Sequence, residues 1–233
     1  TDCHGVHDIR SSADALSHTH PANLPATCGR CHSDPGLARR HMISVVNPTD
    51  SYMKSEHARQ IASGNLDAAS CSACHGSHDL LASQDPESRV YPRNVANTCG
   101  ECHPKALEEW QESIHGRAFL AGIRDAPTCN DCHGEHDIIR HDDAGSRVSG
   151  RNIVTDTCTR CHDDERVMTK YGIATARQAS YMDSFHGLAG AAGSPVVANC
   201  ASCHENHLIL SHNDPRSSVY LSLIHISEPT RPY

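Results

Sequence analysis

The stretch Cys71-Ser72-Ala73-Cys74-His75-Gly76-Ser77-His78-Asp79 sets the reading of the whole chain, because its first five residues recur. Cys28-Gly-Arg-Cys31-His32, Cys99-Gly-Glu-Cys102-His103, Cys129-Asn-Asp-Cys132-His133, Cys158-Thr-Arg-Cys161-His162 and Cys200-Ala-Ser-Cys203-His204 share its spacing. Two thiols three residues apart reach the two vinyl groups of one porphyrin, and the next residue, a histidine, falls under the iron. A lone copy would be compatible with zinc or thiol redox chemistry. Six complete copies read as covalent haem c attachment, with His32, His75, His103, His133, His162 and His204 as proximal ligands. Thr1-Asp2-Cys3-His4 reads as the remainder of a seventh motif, with Cys3 and His4 in the same roles. On this reading the chain starts inside a haem motif, and any export signal belongs to sequence ahead of Thr1.

The rest of the composition agrees. Leu, Ile, Val and Phe together make 38 of 233 residues. So few large apolar side chains bury too little area to offset chain entropy. Either the chain is disordered or something other than side chains fills its interior. Thirteen Cys and 20 His favour the second, with porphyrin as the core. No run approaches the roughly 18 apolar residues of a membrane span. The thiols are expected in thioethers rather than disulfides.

The motifs alternate between two contexts. Odd ones continue as Cys-His-x-x-His, which gives His7, His78, His136 and His207; the last of these has Glu205 where the others have Gly. Even ones are followed by an aromatic residue and Ser-x-His: Tyr52-Met-Lys-Ser55-Glu-His57, Trp110-Gln-Glu-Ser113-Ile-His115 and Tyr181-Met-Asp-Ser184-Phe-His186. Each of these three histidines lies 14 residues before the next motif's first Cys, and a Gly follows each by seven. This is a two-motif repeat. Singly, each histidine would read as a surface residue. At repeat-fixed offsets, His7, His57, His78, His115, His136, His186 and His207 are seven candidate distal ligands for seven irons. If the proximal His opens a helical turn, the His three residues on shares its face. It then cannot reach the far side of its own porphyrin, and is expected to ligate a neighbouring one.

His18, His20, His41, His141 and His212 carry no repeat-fixed ligand role; surface or propionate contacts suit them, and His20 could also serve a haem encoded ahead of Thr1. Trp110, Tyr52 and Tyr181 are expected to pack on porphyrin. Residues 1–220 form one multihaem domain on this reading. Residues 221–233, including His225, break the repeat and resemble translated adapter read-through; a genuine C-terminal extension is the alternative. The expected fold is mainly α with much irregular structure and little or no sheet. Short helices are expected after the motifs and over Tyr52–Ile61 and Leu107–Leu120, stopped by Gly64 and Gly122.

Through Tyr220, the Cys-His-Gly-x-His-Asp, Ser…Asn…Thr-Cys and aromatic-x-x-Ser-x-His elements resemble the multihaem c-type cytochromes of the doubled Cys-x-x-Cys-His class. The resemblance implies an exported protein, periplasmic or at the cell surface, used in anaerobic respiration. It implies closely stacked bis-histidine haems that carry electrons, with a quinol-oxidising membrane cytochrome or a terminal reductase as partner. An iron with two imidazole ligands has no vacant position, so electron transfer is the expected function and catalysis is not. The rivals are part of a nitrite- or hydroxylamine-type oxidoreductase with one open iron, and a filament-forming haem scaffold. The formal charge of −8 becomes roughly −15 with seven ferric bis-histidine haems. That favours basic or cationic partners in a salt-sensitive way and disfavours nucleic acid.

Overall fold

The structure is a computed structural model that describes residues 2–41, 43, 45, 47–194 and 196–221. The terminal segment 222–233, with His225, lies outside the described residues. The chain divides into two compact units, one of residues 1–98 and 133–140, the other of residues 99–132 and 141–233. Among the described residues there are short α-helices, one π-helix and no strand, so the chain is mainly α with long irregular connections. No helix among them is long and apolar enough to cross a membrane.

Helices form at the motifs themselves. Five of them, Leu24–His32, Cys71–His75, Cys129–His133, Thr159–His162 and Cys200–His204, each end on the histidine. The histidine therefore closes a helix where the sequence suggested that it opens one. The reason lies one residue on, where the odd motifs turn left-handed: Gly5, Gly76 and Gly134 have φ of +79°, +82° and +88°. Such a backbone stops a helix at little cost for glycine. Glu205 holds the same turn at φ +67°, where a side chain is disfavoured.

The Ser-x-His segments also differ from the expected continuous helices. Each is broken at its serine into two: Pro48–Tyr52 and Glu56–Ala62, Pro104–Glu112 and Ile114–Leu120, Arg177–Met182 and Phe185–Ala191. Ser55, Ser113 and Ser184 are N-caps of the second helix, accepting from the N–H of Ala58, Gly116 and Gly187. A capping serine satisfies a donor that the helix cannot, so it starts a new helix instead of continuing the old one. The histidine then falls in the first turn of that new helix. Gly64, Gly122 and Gly193, with φ near +90°, lie just past its end, as the sequence indicated.

The interior is polar. Only Ala58, Ile61, Ala96, Trp110, Val154, Met168 and Leu210 are buried apolar residues among those described, fewer than the buried Ser and Thr. Of these, Ser17, Thr27, Ser88 and Ser146 belong to a clip that recurs before each even motif. Asn23 Nδ2 donates to Ala15 O and Ser17 O, Asn94 Nδ2 to Pro86 O and Ser88 O, and Asn152 Nδ2 to Ala144 O and Ser146 O. Thr27, Thr98 and Thr157 Oγ1 donate to His18 O, Arg89 O and Arg147 O. These bonds, at 2.7–2.9 Å, hold the approach to the first cysteine. The third copy has one residue more between Asn and Thr. There the chain forms the π-helix Ile153–Cys158, which takes up an extra residue within one turn and lets Thr157 make the same bond.

Candidate functional site

The cysteines come together in a pattern that the spacing did not disclose. All are free thiols. The first cysteine of each even motif bonds to the first cysteine of the following odd one: Cys28 with Cys71, Cys99 with Cys129, Cys158 with Cys200. In each pair the S–H of one half-buried sulfur is directed at the other. The sulfur that receives the S–H ionises more readily, so Cys28 and Cys200 fall to about 7, while Cys71, Cys99 and Cys158 are pushed well up. Burial, and after it the neighbouring Asp131 carboxylate, raises Cys132 to about 11. Each even motif thus lies beside the next odd one.

An aromatic clamp reinforces this. Tyr52 OH donates to Ala69 O, Trp110 Nε1 to Pro127 O and Tyr181 OH to Ala198 O, each to the carbonyl two residues before the odd motif's first cysteine. The alignment of these three residues was legible in the sequence. The polar tip as the conserved feature of the repeat was not.

The histidines pair across repeats. His4 faces His78 with ring centres 6.0 Å apart and planes 10° from parallel. His75 faces His136 at 6.1 Å and 8°, and His115 faces His162 at 6.1 Å and 51°. In each pair one residue follows a Cys-x-x-Cys and the other is a candidate distal ligand of a different motif. A metal–imidazole bond is about 2.0–2.1 Å, so two imidazoles on one metal have ring centres roughly 6 Å apart. By that spacing each pair would supply two imidazoles to one iron. Burial pulls His75, His115, His136 and His162 down, His115 to about 4. After burial, the neighbouring His162 acts on His115 and Arg177 acts on His162. Each imidazole is thereby neutral near pH 7, the state that binds metal.

The remaining candidates are placed as follows. His32 lies near His75 and His136, and His204 near His162, each close enough to be felt electrostatically. His133 closes its helix, His103 directly precedes the helix Pro104–Glu112, and His57 is the second residue of Glu56–Ala62. His7 and His186 are exposed, His186 lying edge-on to Phe185 at 5.9 Å. His207 Nδ1 lies 3.6 Å from Glu109 Oε2. Among the others, His20 is buried and accepts from Ala22 N–H, while His41, His141 and His212 are exposed. Among the described residues, no group of three or more His, Cys, Asp or Glu could hold a metal ion; axial ligation of a porphyrin iron requires two protein nitrogens.

Two backbone bonds set the distal helices. Glu56 N–H donates to Ile138 O, and Ile114 N–H to Ile209 O, both at 2.9 Å. A Ser-x-His helix is thus tied by its first residue to the chain two residues beyond an odd motif's second histidine.

A stretch of 126 residues, covering 48% of this chain, is 30% identical to the probable nitrite reductase-hydroxylamine oxidoreductase fusion protein of Kuenenia stuttgartiensis. The chain spans 14% of that relative's length. No family model and no solved structure matches.

Proposed function

We propose that this chain carries electrons through a chain of covalently attached c-type haems. The observation that supports it is the recurrence of facing imidazole pairs, each about 6 Å between centres, formed by a motif histidine and a distal candidate. Cys3, Cys28, Cys31, Cys71, Cys74, Cys99, Cys102, Cys129, Cys132, Cys158, Cys161, Cys200 and Cys203 would form the thioethers, six complete sites and one partial one. His78 would complete the ligation at His4, His136 at His75 and His115 at His162. Bound haem supplies a one-electron couple, and two histidine ligands favour a low potential. The chain's own contribution is to hold these imidazoles in pairs and to set each even motif against the next odd one through its paired cysteines and aromatic clamp. A periplasmic or cell-surface location, where the attachment chemistry operates, belongs to this reading, as do quinol-side and terminal-reductase partners.

The relative's name favours a second reading, in which the chain is part of a nitrite- or hydroxylamine-type oxidoreductase with one iron open to substrate. One experiment separates the two. The protein is matured in a periplasmic host, haem per chain is determined, and low-temperature EPR is recorded with and without nitrite or carbon monoxide. Low-spin haems that ignore both additives support the carrier. A high-spin signal that shifts on addition supports the enzyme, and a chain that attaches no haem sinks both.

A further inference from the structure

The four odd motifs are not equivalent, and the difference points to a residue outside them. In the first three, a glycine and an aspartate are matched: Gly5 with Asp8, Gly76 with Asp79, Gly134 with Asp137. The aspartate's Oδ1 lies 2.5, 2.5 and 2.7 Å from where a Cβ on that glycine would stand, so a side chain and this carboxylate exclude each other. In the fourth motif both have changed. Glu205 brings a side chain, and Leu208 brings no carboxylate. The acid that follows the distal-type histidine in the other three motifs is therefore missing beside His207.

A carboxylate arrives there from elsewhere. Glu109, on the helix Pro104–Glu112, places Oε2 3.6 Å from His207 Nδ1, while its Oε1 lies 3.6 Å from Lys105 Nζ. The residues that match Glu109 in the other Ser-x-His segments, each one before the aromatic residue, are Ser51 and Ser180. An acid thus stands at this position only in the repeat that faces the motif lacking its own.

We propose that Glu109 is the positioning carboxylate of His207, in the repeat whose odd motif has lost the aspartate after its second histidine. The proposal rests on the reading of His207 as an axial ligand. A carboxylate at Nδ1 keeps the proton on that nitrogen, leaves the Nε2 lone pair for metal, and makes the ring a stronger donor. Stronger donation favours the oxidised iron.

The test uses the haem-loaded protein. Low-spin EPR and haem content of the unsubstituted chain are recorded first; high-spin or haem-free protein at that stage counts against the carrier reading itself. Redox titration then follows Glu109→Gln, Glu109→Asp and the set Glu109→Gln/Glu205→Gly/Leu208→Asp. With Glu109→Gln, one haem is expected to lose about tenfold in its oxidised-to-reduced ratio at fixed potential, an upward shift of about 59 mV for a one-electron couple. Glu109→Asp should recover part of that shift, and the set, which rebuilds the motif's own acid, should recover most of it. A Glu109→Gln titration that superimposes on the parent's overturns the proposal, as does a shift that the rebuilt motif leaves unchanged. Should Glu109→Gln fail to load haem, Lys105→Ala decides instead. Freeing the carboxylate from its cation should move the same haem downward, and no movement overturns the proposal.

Discussion

The imidazoles of His75 and His136 face one another at 6.1 Å with planes 8° from parallel, although each belongs to a different odd motif. His75 closes one motif's helix, and His136 lies three residues beyond the next odd motif's own histidine. The second histidine of an odd motif thus reaches back to the preceding odd motif. His78 and His4 repeat the relationship.

Removal of His78 should therefore affect the site of Cys3 and His4 and spare that of Cys71, Cys74 and His75. His78→Ala is expected to convert one haem from low-spin to high-spin, read by EPR, with haem content unchanged. His78→Met should keep that haem low-spin and raise its potential, since a Met/His pair has a higher potential than two histidines.

Ser113 is fully buried, accepts from Gly116 N–H and donates to Trp110 O. Ser113→Ala removes the cap that starts the helix bearing His115. A loss of about 1 kcal/mol is expected from the cap, read as a lower denaturant midpoint. The His115 signal should broaden in spectra sensitive to axial ligation.

Asn94 satisfies two carbonyls at once, Pro86 O and Ser88 O, both at 2.8 Å. Asn94→Ala leaves both without that donor and should cost about 1–3 kcal/mol. Asn94→Asp should be at least as damaging, because a carboxylate offers those oxygens no proton. Urea unfolding of the two variants checks the order.

Deletion of Asp156 should be tolerated. It restores the Asn-to-Thr spacing of the first two copies and removes the need for a π-helical turn. Haem content should be unchanged, and stability should stay within about 1 kcal/mol of the parent. Loss of attachment at Cys158 and Cys161 would show that the wider turn is itself required.

Asp125 Oδ2 accepts from Lys170 Nζ and Tyr171 OH, both at 2.7 Å, and these bonds hold its carboxyl below the ordinary value. A carboxylate depressed in the fold contributes stability that is complete above its unfolded value, about 3.9, and is lost as pH falls through the folded one. The protection of amides in the helix Glu165–Lys170, relative to their intrinsic exchange rate at each pH, should fall on acidification below about pH 4. Asp125→Asn should remove that dependence. The group is exposed, so the effect should be small and weakened by salt.

Much of the architecture was legible because the repeat writes it several times. Helical character without sheet followed from the motif content, and Gly64, Gly122 and Gly193 marked the helix ends. The histidines that face one another are among those that spacing singled out. Their partners were not legible, because the contact joins motifs a repeat apart and no local period records it. The break at Ser113 was missed because Leu107 to Leu120 has helical composition throughout; a capping serine in its middle was the available signal. The role of Tyr52, Trp110 and Tyr181 was read from their rings, whereas the repeat keeps their hydrogen-bond donor. Glu109 was missed because its meaning lies in Leu208, and a substitution is informative only beside the copy it departs from.

The π-helical turn at Ile153–Cys158 has a consequence for how such a chain can change. Tunnelling rates fall steeply with separation, so a relay runs no faster than its widest gap allows. On the proposed electron-carrying function, an inserted residue that pushed one motif away from its neighbour would slow every electron passing through. Here the insertion widens a single turn, while Thr157 still closes the clip and Cys158 still meets Cys200. Sequence length can thus change at this turn without parting the two motifs that Cys158 and Cys200 join.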